Sequence, residues 1–304
     1  MQPPLISIVL CSYNGARFID EQIQSLLQQT YPNLEIIISD DASTDGTQAV
    51  LEKYKSHPSF KIFFQEQNLG PIQNVAFAIE QARGAFLAFC DQDDIWLPQK
   101  IETLYQHIGD ELLVYSDSEL VDEHGQPLHK KLSQLRRMYS GNDTRGFVFS
   151  NVVWGHTILI NQKLVPHILP IPDGIPHDIW IAFKAATIKE IKYVDVALTK
   201  YRQHTASVTK TIAVKTGART QNKRYQDFKE KLNWIGVMQQ HARPDEKEFY
   251  NQLFTLYARK ESGRFQGALF LFLLRHQQAL YRFSQKSKTS QLVDIMKQAR
   301  GVSP

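Results

Sequence analysis

The chain has 304 residues, of which 42% are hydrophobic and 22% charged, and these proportions exclude a generally disordered protein. No apolar run approaches the roughly 20 residues that span a bilayer, and two cysteines are too few for a disulfide scaffold. The first residues carry no positive charge ahead of an apolar run, which argues against a secretory signal. We therefore expect a reduced, cytoplasmic protein.

Charge is distributed unevenly along the chain. The balance of Lys and Arg against Asp and Glu is −7 for residues 1–204 and +11 for residues 205–304, which together give the net charge of +4. The acidic part is suited to holding a metal, and the basic part to facing an anionic surface. A solvated basic tail explains the second part equally well.

The first half alternates β-branched or aromatic runs with segments of helical periodicity. The predicted strands are Leu5–Cys11, Leu34–Ser39, Phe60–Phe64 and Ala85–Cys90, and the predicted helices are Arg17–Gln29, Thr44–Tyr54 and Ile72–Ala82. This alternation predicts right-handed βαβ crossovers and a mostly parallel sheet covered on both faces. Ligands bind such sheets beyond the carboxyl ends of the strands.

The second half is less regular. Leu112–Ser116 and His156–Ile160 are predicted strands, and Asp178–Thr187 is a predicted helix. From about residue 223 the pattern is helical, with a stop at Ser262-Gly263 and a further helix from Arg264 to Phe283.

Acidic residues gather where the predicted strands end. Asp40 and Asp41 follow the second strand, Asp91-Gln92-Asp93-Asp94 follows the fourth, and Asp117 ends the fifth. Several acids at one edge repel each other unless a cation compensates them, and a hard ion such as Mg²⁺ or Mn²⁺ takes carboxylate and phosphate oxygens. Each pair alone is explained by a turn or a helix cap, but all of them at one edge favour a metal or nucleotide site.

The first strand leads into Ser12-Tyr13-Asn14-Gly15, where Tyr13 could stack on a nucleobase. The alternative is a core tyrosine that closes a turn at Asn14-Gly15. The chain has no G-x-G-x-x-G after this strand and no G-x-x-x-x-G-K-[ST] anywhere. Without either phosphate cradle, a metal must neutralise any bound diphosphate.

Two segments, ISIVLCSYNGARFIDEQIQSLLQQTYPNLEIIISDDASTDGT and GAFLAFCDQDDIWLPQKI, closely resemble the amino-terminal half of family 2 glycosyltransferases of the GT-A fold. The variant DQDDIW resembles the branch of bacterial rhamnosyltransferases and related cell-surface polysaccharide enzymes. The resemblance is dense over residues 5–118 and returns at Pro176–Trp180 and Tyr201–His204. It implies a Rossmann-like catalytic domain over 1–204, with a nucleotide-sugar half (1–118) and an acceptor half (119–204). A basic helical region would follow over 205–304.

The resemblance also implies a nucleotide-sugar site. Ser12 and Tyr13 would contact the nucleotide, Asp41 would hydrogen-bond the base, and Asp91 would approach the ribose or the donor sugar. The remaining neighbours of the donor would be Asn14, Asp40 and Gln92.

The resemblance also implies which residues bind the metal and which residue is the general base. Asp93 would ligate the Mg²⁺ or Mn²⁺ that bridges the two phosphates, and His204 would touch the diphosphate or complete the metal shell. Asp178 resembles the general base that deprotonates the acceptor, although a role as a helix cap alone would also explain it. Asp94 is expected to cap a helix that starts near Leu97.

The implied function is an inverting, metal-dependent transfer of a sugar from a UDP- or dTDP-linked donor to a saccharide or lipid-linked acceptor, in cell-surface polysaccharide synthesis. One base and one Lewis-acidic metal suffice for a single displacement. The alternatives are a catalytically silent scaffold and another metal-dependent phosphate enzyme. A phosphatase of the haloacid-dehalogenase type needs an Asp where this chain has Ser12-Tyr13-Asn14.

The carboxy-terminal region predicts one more partner. An apolar stripe lies among basic residues and comprises Phe265, Leu269, Phe272, Leu273 and Leu280. Such a helix suits the headgroup region of an anionic membrane, which would place the protein at the inner face of the plasma membrane. Packing of the stripe on the catalytic domain or on a second subunit is the alternative. No nucleic-acid partner is expected, and the oligomeric state is left open.

Overall fold

The computed structural model describes residues 2–204 and 221–303, so the start of the predicted basic region, 205–220, lies outside the described residues. The chain forms two compact units. The sheet unit contains the residues up to Asn142 and those from Val153 to the first gap. The helical unit contains Asp143–Val152 and the residues from 221 onward.

The sheet unit is built on one sheet with the strand order β3-β2-β1-β4-β8-β6-β9-β5, to which β7 adds beside β6. The strands are β1 (Ile6–Ser12), β2 (Leu34–Asp40), β3 (Phe60–Phe64), β4 (Phe86–Cys90), β5 (Ile95–Trp96), β6 (Leu113–Val121), β7 (Pro127–Lys131), β8 (Ile158–Asn161) and β9 (Ile191–Arg202). Within the described residues, β5, β7 and β8 run opposite to the other six. The mostly parallel α/β sheet predicted from the sequence is confirmed.

Helices cover the sheet on both faces. They are α1 (Ile19–Leu27), α2 (Thr47–Glu52), α3 (Pro71–Glu80), α4 (Lys100–Ile108), α5 (Val165–Ile168) and α6 (His177–Ile188). Alternate residues of β1 pack in one core with α1 and α4, while α3 packs on β1 and β2. A sheet buried on both faces explains why β1 reads as a nearly continuous apolar run.

Strand β6 corrects one expectation. It does not end at Asp117 but continues to Val121, with a bulge after Ser116. Asp117 is buried within the strand, and its carboxylate accepts hydrogen bonds from the backbone N–H and the hydroxyl of Ser133 at 3.1 and 2.6 Å. The prediction that Asp117 joins the acidic edge was therefore wrong.

The helical unit contains α7 (Gln221–His241), α8 (Lys247–Ala258), α9 (Gly267–Arg275), α10 (Gln277–Leu280) and α11 (Lys288–Ala299). The helix predicted from Arg264 to Phe283 is interrupted at His276, which separates α9 from α10. Short 3₁₀ turns occur at Leu132–Gln134, Thr144–Val148, Gly155–Thr157, Gln162–Leu164 and Arg259–Ser262. None of the described helices combines the length and the apolar character needed to cross a bilayer.

The predicted apolar stripe divides between the interior and the surface. Leu269, Phe272, Leu273 and Leu280 are buried, and the Phe272 ring lies 5.3 Å from that of Phe249 on α8. Phe265 is exposed. Four of the five stripe residues are therefore unavailable to a membrane, which corrects the residues expected to dock there.

Candidate active site

Three loops begin side by side at the carboxyl edge of the sheet. Ser12 at the end of β1 is in register with Asp40 at the end of β2, and Leu10 pairs with Cys90 at the end of β4. The residues that follow these strand ends therefore share one edge, as the parallel topology requires. Tyr13 is half-exposed there, where its ring is free to meet a flat ligand.

Gln92 joins the first loop to the third. Its side-chain oxygen accepts a hydrogen bond from the Tyr13 backbone N–H at 2.9 Å, and its amide nitrogen donates to the Tyr13 carbonyl at 3.1 Å. Gly15 lies against the same amide, because a Cβ at that position would be 2.1 Å from the Gln92 oxygen. Gln92 thus fixes the backbone of Tyr13, and Gly15 leaves room for the Gln92 amide because it has no side chain.

Asn14 and Asp40 join the first loop to the second. Asn14 has a φ of 49°, a conformation that Asn tolerates, and its side-chain oxygen accepts from the Thr44 N–H at 2.8 Å. Asp40 is fully buried and accepts from the hydroxyls of Ser12 and Ser43 at 2.8 and 2.6 Å. Through these hydrogen bonds, Asp40 and Ser12 hold the first and second loops together.

Asp41 binds the backbone of a neighbouring loop. Its two carboxylate oxygens accept from the N–H groups of Leu69 and Gly70 at 2.6 and 3.0 Å. Each carboxylate oxygen has a second lone pair, so a donor on a base could still be accommodated. Its contact with the base stays a prediction.

The acidic loop after β4 lies among two histidines. The Nε2 atom of His204 lies 2.7 Å from Oδ2 of Asp93. Burial and the charge of Asp91 raise the pKa of Asp93, and His204 opposes this shift.

His156 was missed by the sequence analysis as a site residue. Its Nδ1 lies 3.4 Å from Asp91 and 3.6 Å from Asp94, while its Nε2 lies 3.0 Å from the Ser118 hydroxyl. Burial raises the pKa of Asp91, but His156, His177 and Lys100 together lower it by more, so the net pKa lies below its ordinary value. Burial and the charges of Asp93 and Asp91 raise the pKa of Asp94 well above its ordinary value.

A buried lysine stands behind this acidic cluster. Lys100 on α4 donates to the His156 carbonyl and to the Thr199 hydroxyl, and its ammonium lies 3.7 Å from the centre of the Trp96 ring. Burial lowers the pKa of Lys100 to about 7, although Asp94 and Asp91 favour its charged form. A lysine at the first residue of a helix is common, so the sequence did not predict that Lys100 is buried behind the acidic cluster.

Arg202, at the end of β9, fixes the acidic loop. Its backbone N–H donates to Asp94 at 3.0 Å, and its guanidinium donates to the Asp93 carbonyl at 2.7 Å and to Glu21 at 2.5 Å. Asp94 therefore accepts a hydrogen bond from the end of β9 and does not cap a helix, because α4 begins only at Lys100. The prediction that Asp94 is a helix cap was wrong.

Asp178 lies in the first turn of α6, directly after Pro176 and His177. Its carboxylate accepts from the Ile179 N–H at 2.7 Å. Burial raises its pKa, His177 lowers it, and Asp91 and His156 are both close enough to contribute. The structure therefore brings Asp178 into the electrostatic environment of the acidic loop.

The residues at this edge fit a divalent cation. Asp91, Asp94 and His156 offer ligand atoms that all lie within 4.8 Å of one another, and Oδ2 of Asp94 is buried without a hydrogen-bond partner. Asp93 and His204 offer a third carboxylate and a second imidazole. Oxygen and imidazole donors suit Mn²⁺ and, with fewer nitrogens, Mg²⁺.

A family profile described as Glycosyl transferase family 2 matches residues 7–169, which include β1, β2, β4 and the acidic loop. The chain belongs to this family. The expectation from the sequence is confirmed at that level.

Two relatives illustrate the match. An uncharacterized glycosyltransferase of Rickettsia typhi is 30% identical over 216 residues, which cover 68% of this chain and 67% of the relative. The putative teichuronic acid biosynthesis glycosyltransferase TuaG of Bacillus subtilis is 35% identical over 130 residues, 42% of this chain and 52% of TuaG. This chain thus aligns with about half of TuaG.

Two solved structures share the fold. The structure of S. aureus TarS residues 1–349 in complex with UDP-GlcNAc has a TM-score of 0.61 at 20% identity, covering 97% of this chain and 81% of that one. The mannosyltransferase PcManGT of Pyrobaculum calidifontis, in complex with GDP-Man and Mn²⁺, has a TM-score of 0.57 at 16% identity, with 97% and 86% covered. The predicted GT-A fold with a helical carboxy-terminal region is confirmed.

Proposed function

We propose that this glycosyltransferase moves a sugar from a nucleoside-diphosphate donor to an acceptor hydroxyl in one displacement with inversion, and that Asp178 is the base. The observation that carries the proposal is the position of Asp178 at the start of α6, near enough to Asp91 and His156 for their charges to affect its pKa. A base must face the acceptor across the donor sugar, and Asp178 comes from a different element than the donor-binding loops.

The donor is proposed to occupy the carboxyl edge of the sheet. Tyr13 would stack on the base, Asp41 would accept a hydrogen bond from it, and Asp91 would approach the ribose or the sugar. Complexes of the structural neighbours with UDP-GlcNAc and GDP-Man support a nucleotide sugar as the donor class. A uridine or thymidine carrier remains our proposal.

Asp93 and His204 are proposed to hold Mn²⁺ or Mg²⁺, and the Mn²⁺ in PcManGT supports a divalent cofactor. A bound cation would supply Lewis-acid stabilisation of the departing phosphate. Arg202 and Gln92 keep the acidic loop and Tyr13 in place for this arrangement. His156 keeps Asp91 ionised, so that it can accept hydrogen bonds from sugar hydroxyls.

Asp178 would take the proton from the acceptor hydroxyl as that oxygen attacks the anomeric carbon. The bond from this carbon to the phosphate oxygen breaks on the opposite face, so the configuration inverts. Burial raises the pKa of Asp178, which strengthens it as a base.

The acceptor is proposed to be a saccharide or a lipid-linked saccharide of a cell-surface polysaccharide, as the relation to TuaG suggests. Membership of the rhamnosyltransferase-like branch and a catalytic domain that ends near residue 204 are parts of the same proposal. We place the reaction in the cytoplasm.

The purified full chain should be incubated with UDP-, dTDP- and GDP-sugars and Mn²⁺, and released nucleoside diphosphate measured with and without EDTA. We expect slow, metal-dependent release from one donor class, faster with acceptor, and abolished in Asp178→Asn but not in the exposed control Asp173→Asn. No release from any donor would support the silent scaffold, and release of inorganic phosphate would support a phosphatase.

A further inference from the structure

The helical unit presents an apolar surface on α9 and α11. Leu271 and Met296 are 65% and 51% exposed, and the same surface includes Phe265, Leu274, Leu292 and Val293. Phe265 lies just before α9, and the residues on each helix recur three or four positions apart, so each helix carries one apolar stripe outside its buried stripe. We call these six residues the outer face.

Helix α9 packs on α8, and α11 packs beside α9. Phe272 of α9 packs on Phe249, and Gln298 of α11 accepts a hydrogen bond from the Tyr257 hydroxyl at 3.0 Å. The Gln266 N–H, just before α9, donates to the Ala299 carbonyl at the end of α11 at 2.9 Å. Because α9 packs on α8 and α11 packs on α9, the exposed stripes of α9 and α11 lie on neighbouring helices.

Positive charge predominates in the segment that carries the outer face. Residues 264–300 contain seven Lys and Arg residues and one acid, Asp294, which is paired with Lys286. Arg282 is paired with Asp143. The exposed basic residues that remain are Arg264, Arg275, Lys288, Lys297 and Arg300.

We propose that the outer face docks on the surface of an anionic lipid bilayer. Exposed apolar side chains enter the boundary between headgroups and acyl chains, while the surrounding cations attract anionic headgroups. A second copy is disfavoured as the occupant, since symmetric pairing of this face would bring two rims of the same charge together. Docking of this kind adds to the proposed transfer reaction, and it keeps the enzyme beside a lipid-linked acceptor.

Sedimentation of the full chain with vesicles tests the proposal without donor or acceptor, so it is independent of the proposed function. Vesicles of phosphatidylcholine alone are compared with vesicles containing 30 mol% phosphatidylglycerol. We expect binding to the anionic vesicles that weakens in 0.5 M salt, and little binding to the neutral ones. Equal binding to both would overturn the proposal.

Two double variants separate the contributions. Lys288→Gln/Lys297→Gln should weaken binding roughly 25-fold, about fivefold for each charge. Leu271→Ser/Met296→Ser should weaken it by about tenfold or more, since both side chains are exposed and their loss leaves the core intact. Thermal melting of each variant confirms that the fold is kept.

The matched control lies on β7 in the sheet unit, where Leu128, Lys130 and Lys131 are also exposed. Lys130→Gln/Lys131→Gln, alone or with Leu128→Ser, should bind like the wild type. An equal loss in this control contradicts the assignment of the surface. A dimer that forms with rising concentration and is lost in Leu271→Ser/Met296→Ser would show that a second copy covers the outer face instead.

Discussion

The imidazole Nε2 of His204 lies 2.7 Å from the Oδ2 of Asp93, although 111 residues separate them in the chain. The contact exists because β9 pairs with β5, which directly follows the acidic loop, so that Lys200 lies opposite Ile95. Arg202, two residues earlier, donates to the Asp93 carbonyl and fixes the same junction. An acid and a histidine are thereby held together at the edge where a diphosphate is expected.

His204→Ala should weaken Mn²⁺ binding about 10- to 100-fold, because the cation loses a ligand or an orienting partner. Calorimetric titration of the full chain with Mn²⁺ in the presence of UDP measures this. The exposed His129→Ala on β7 is the control and should bind Mn²⁺ normally. Unchanged affinity in His204→Ala would leave Asp93 without this partner in the metal site.

Asp178→Asn should reduce transfer by about 10²–10⁴-fold while donor binding stays near normal, because Asn can accept the Ile179 hydrogen bond but not a proton. Turnover is compared with donor affinity measured by thermal shift. Transfer within a few-fold of the wild type would remove Asp178 from the mechanism and leave His177 as the next candidate. Asp117, buried within β6, is no longer a candidate.

The same substitution should leave stability at pH 7 unchanged or increased. Burial raises the pKa of Asp178 in the folded state, so its contribution to stability is present below the unfolded pKa of about 3.9 and is lost as pH rises through the folded value. Removal of the carboxylate relieves that loss. Urea denaturation of both proteins at pH 5 and pH 7 measures the difference, and a clear destabilisation at pH 7 would contradict a raised pKa of Asp178 in the folded state.

Catalysis should show the matching pH dependence. The acid limb of kcat/KM should lie above pH 3.8, since the base must ionise and its pKa is raised. A pH–rate profile measured between pH 4 and 8 tests this. The limb should disappear from the residual activity of Asp178→Asn, and its persistence there would identify another base.

Gly15→Ala should displace the Gln92 side chain, because the new Cβ would lie 2.1 Å from its oxygen. The loss of the two hydrogen bonds to Tyr13 should cost about 1–2 kcal/mol of unfolding free energy and weaken donor binding. A double-mutant cycle with Gln92→Ala measures the coupling. Gly15→Ala should lower the unfolding free energy much less in the Gln92→Ala background. Additive changes in unfolding free energy would show that the two residues do not interact.

Asp143 in the helical unit provides a stability prediction. The Arg145 guanidinium hydrogen-bonds its carboxylate and Arg282 lies 2.5 Å away, and although burial raises its pKa, these arginines lower it to about 2. The stabilisation is therefore present above the unfolded pKa of about 3.9 and is lost as pH falls toward 2. After allowance for solvent screening, Asp143→Asn should cost about 1–2 kcal/mol at pH 7 and little at pH 2, as urea denaturation would measure.

The sequence alone determined the parts whose signal is local. Strands β1 and β4 are nearly continuous apolar runs because both faces are buried, and the loops that follow β1, β2 and β4 carry the polar residues of the ligand edge. From that pattern the sheet, the acidic loop after β4 and the exposed Tyr13 could all be placed. The position of Asp178 at the start of a helix could also be predicted, from Pro176 before it and the apolar run after it.

Apart from His204, which the family resemblance had already implied at the metal or the diphosphate, only the tertiary structure decided which side chains meet the acidic loop. Strand β9 has mixed exposure and no clear alternation, so its residues do not predict a strand. This strand nevertheless positions Arg202, and His204 just after it, beside Asp93. His156 and Lys100 look like ordinary members of a strand and a helix until packing buries them together. The bulge in β6 likewise moved Asp117 away from the edge. Contacts between residues about 60 to 110 positions apart depend on the order and register of strands, and no local periodicity encodes these.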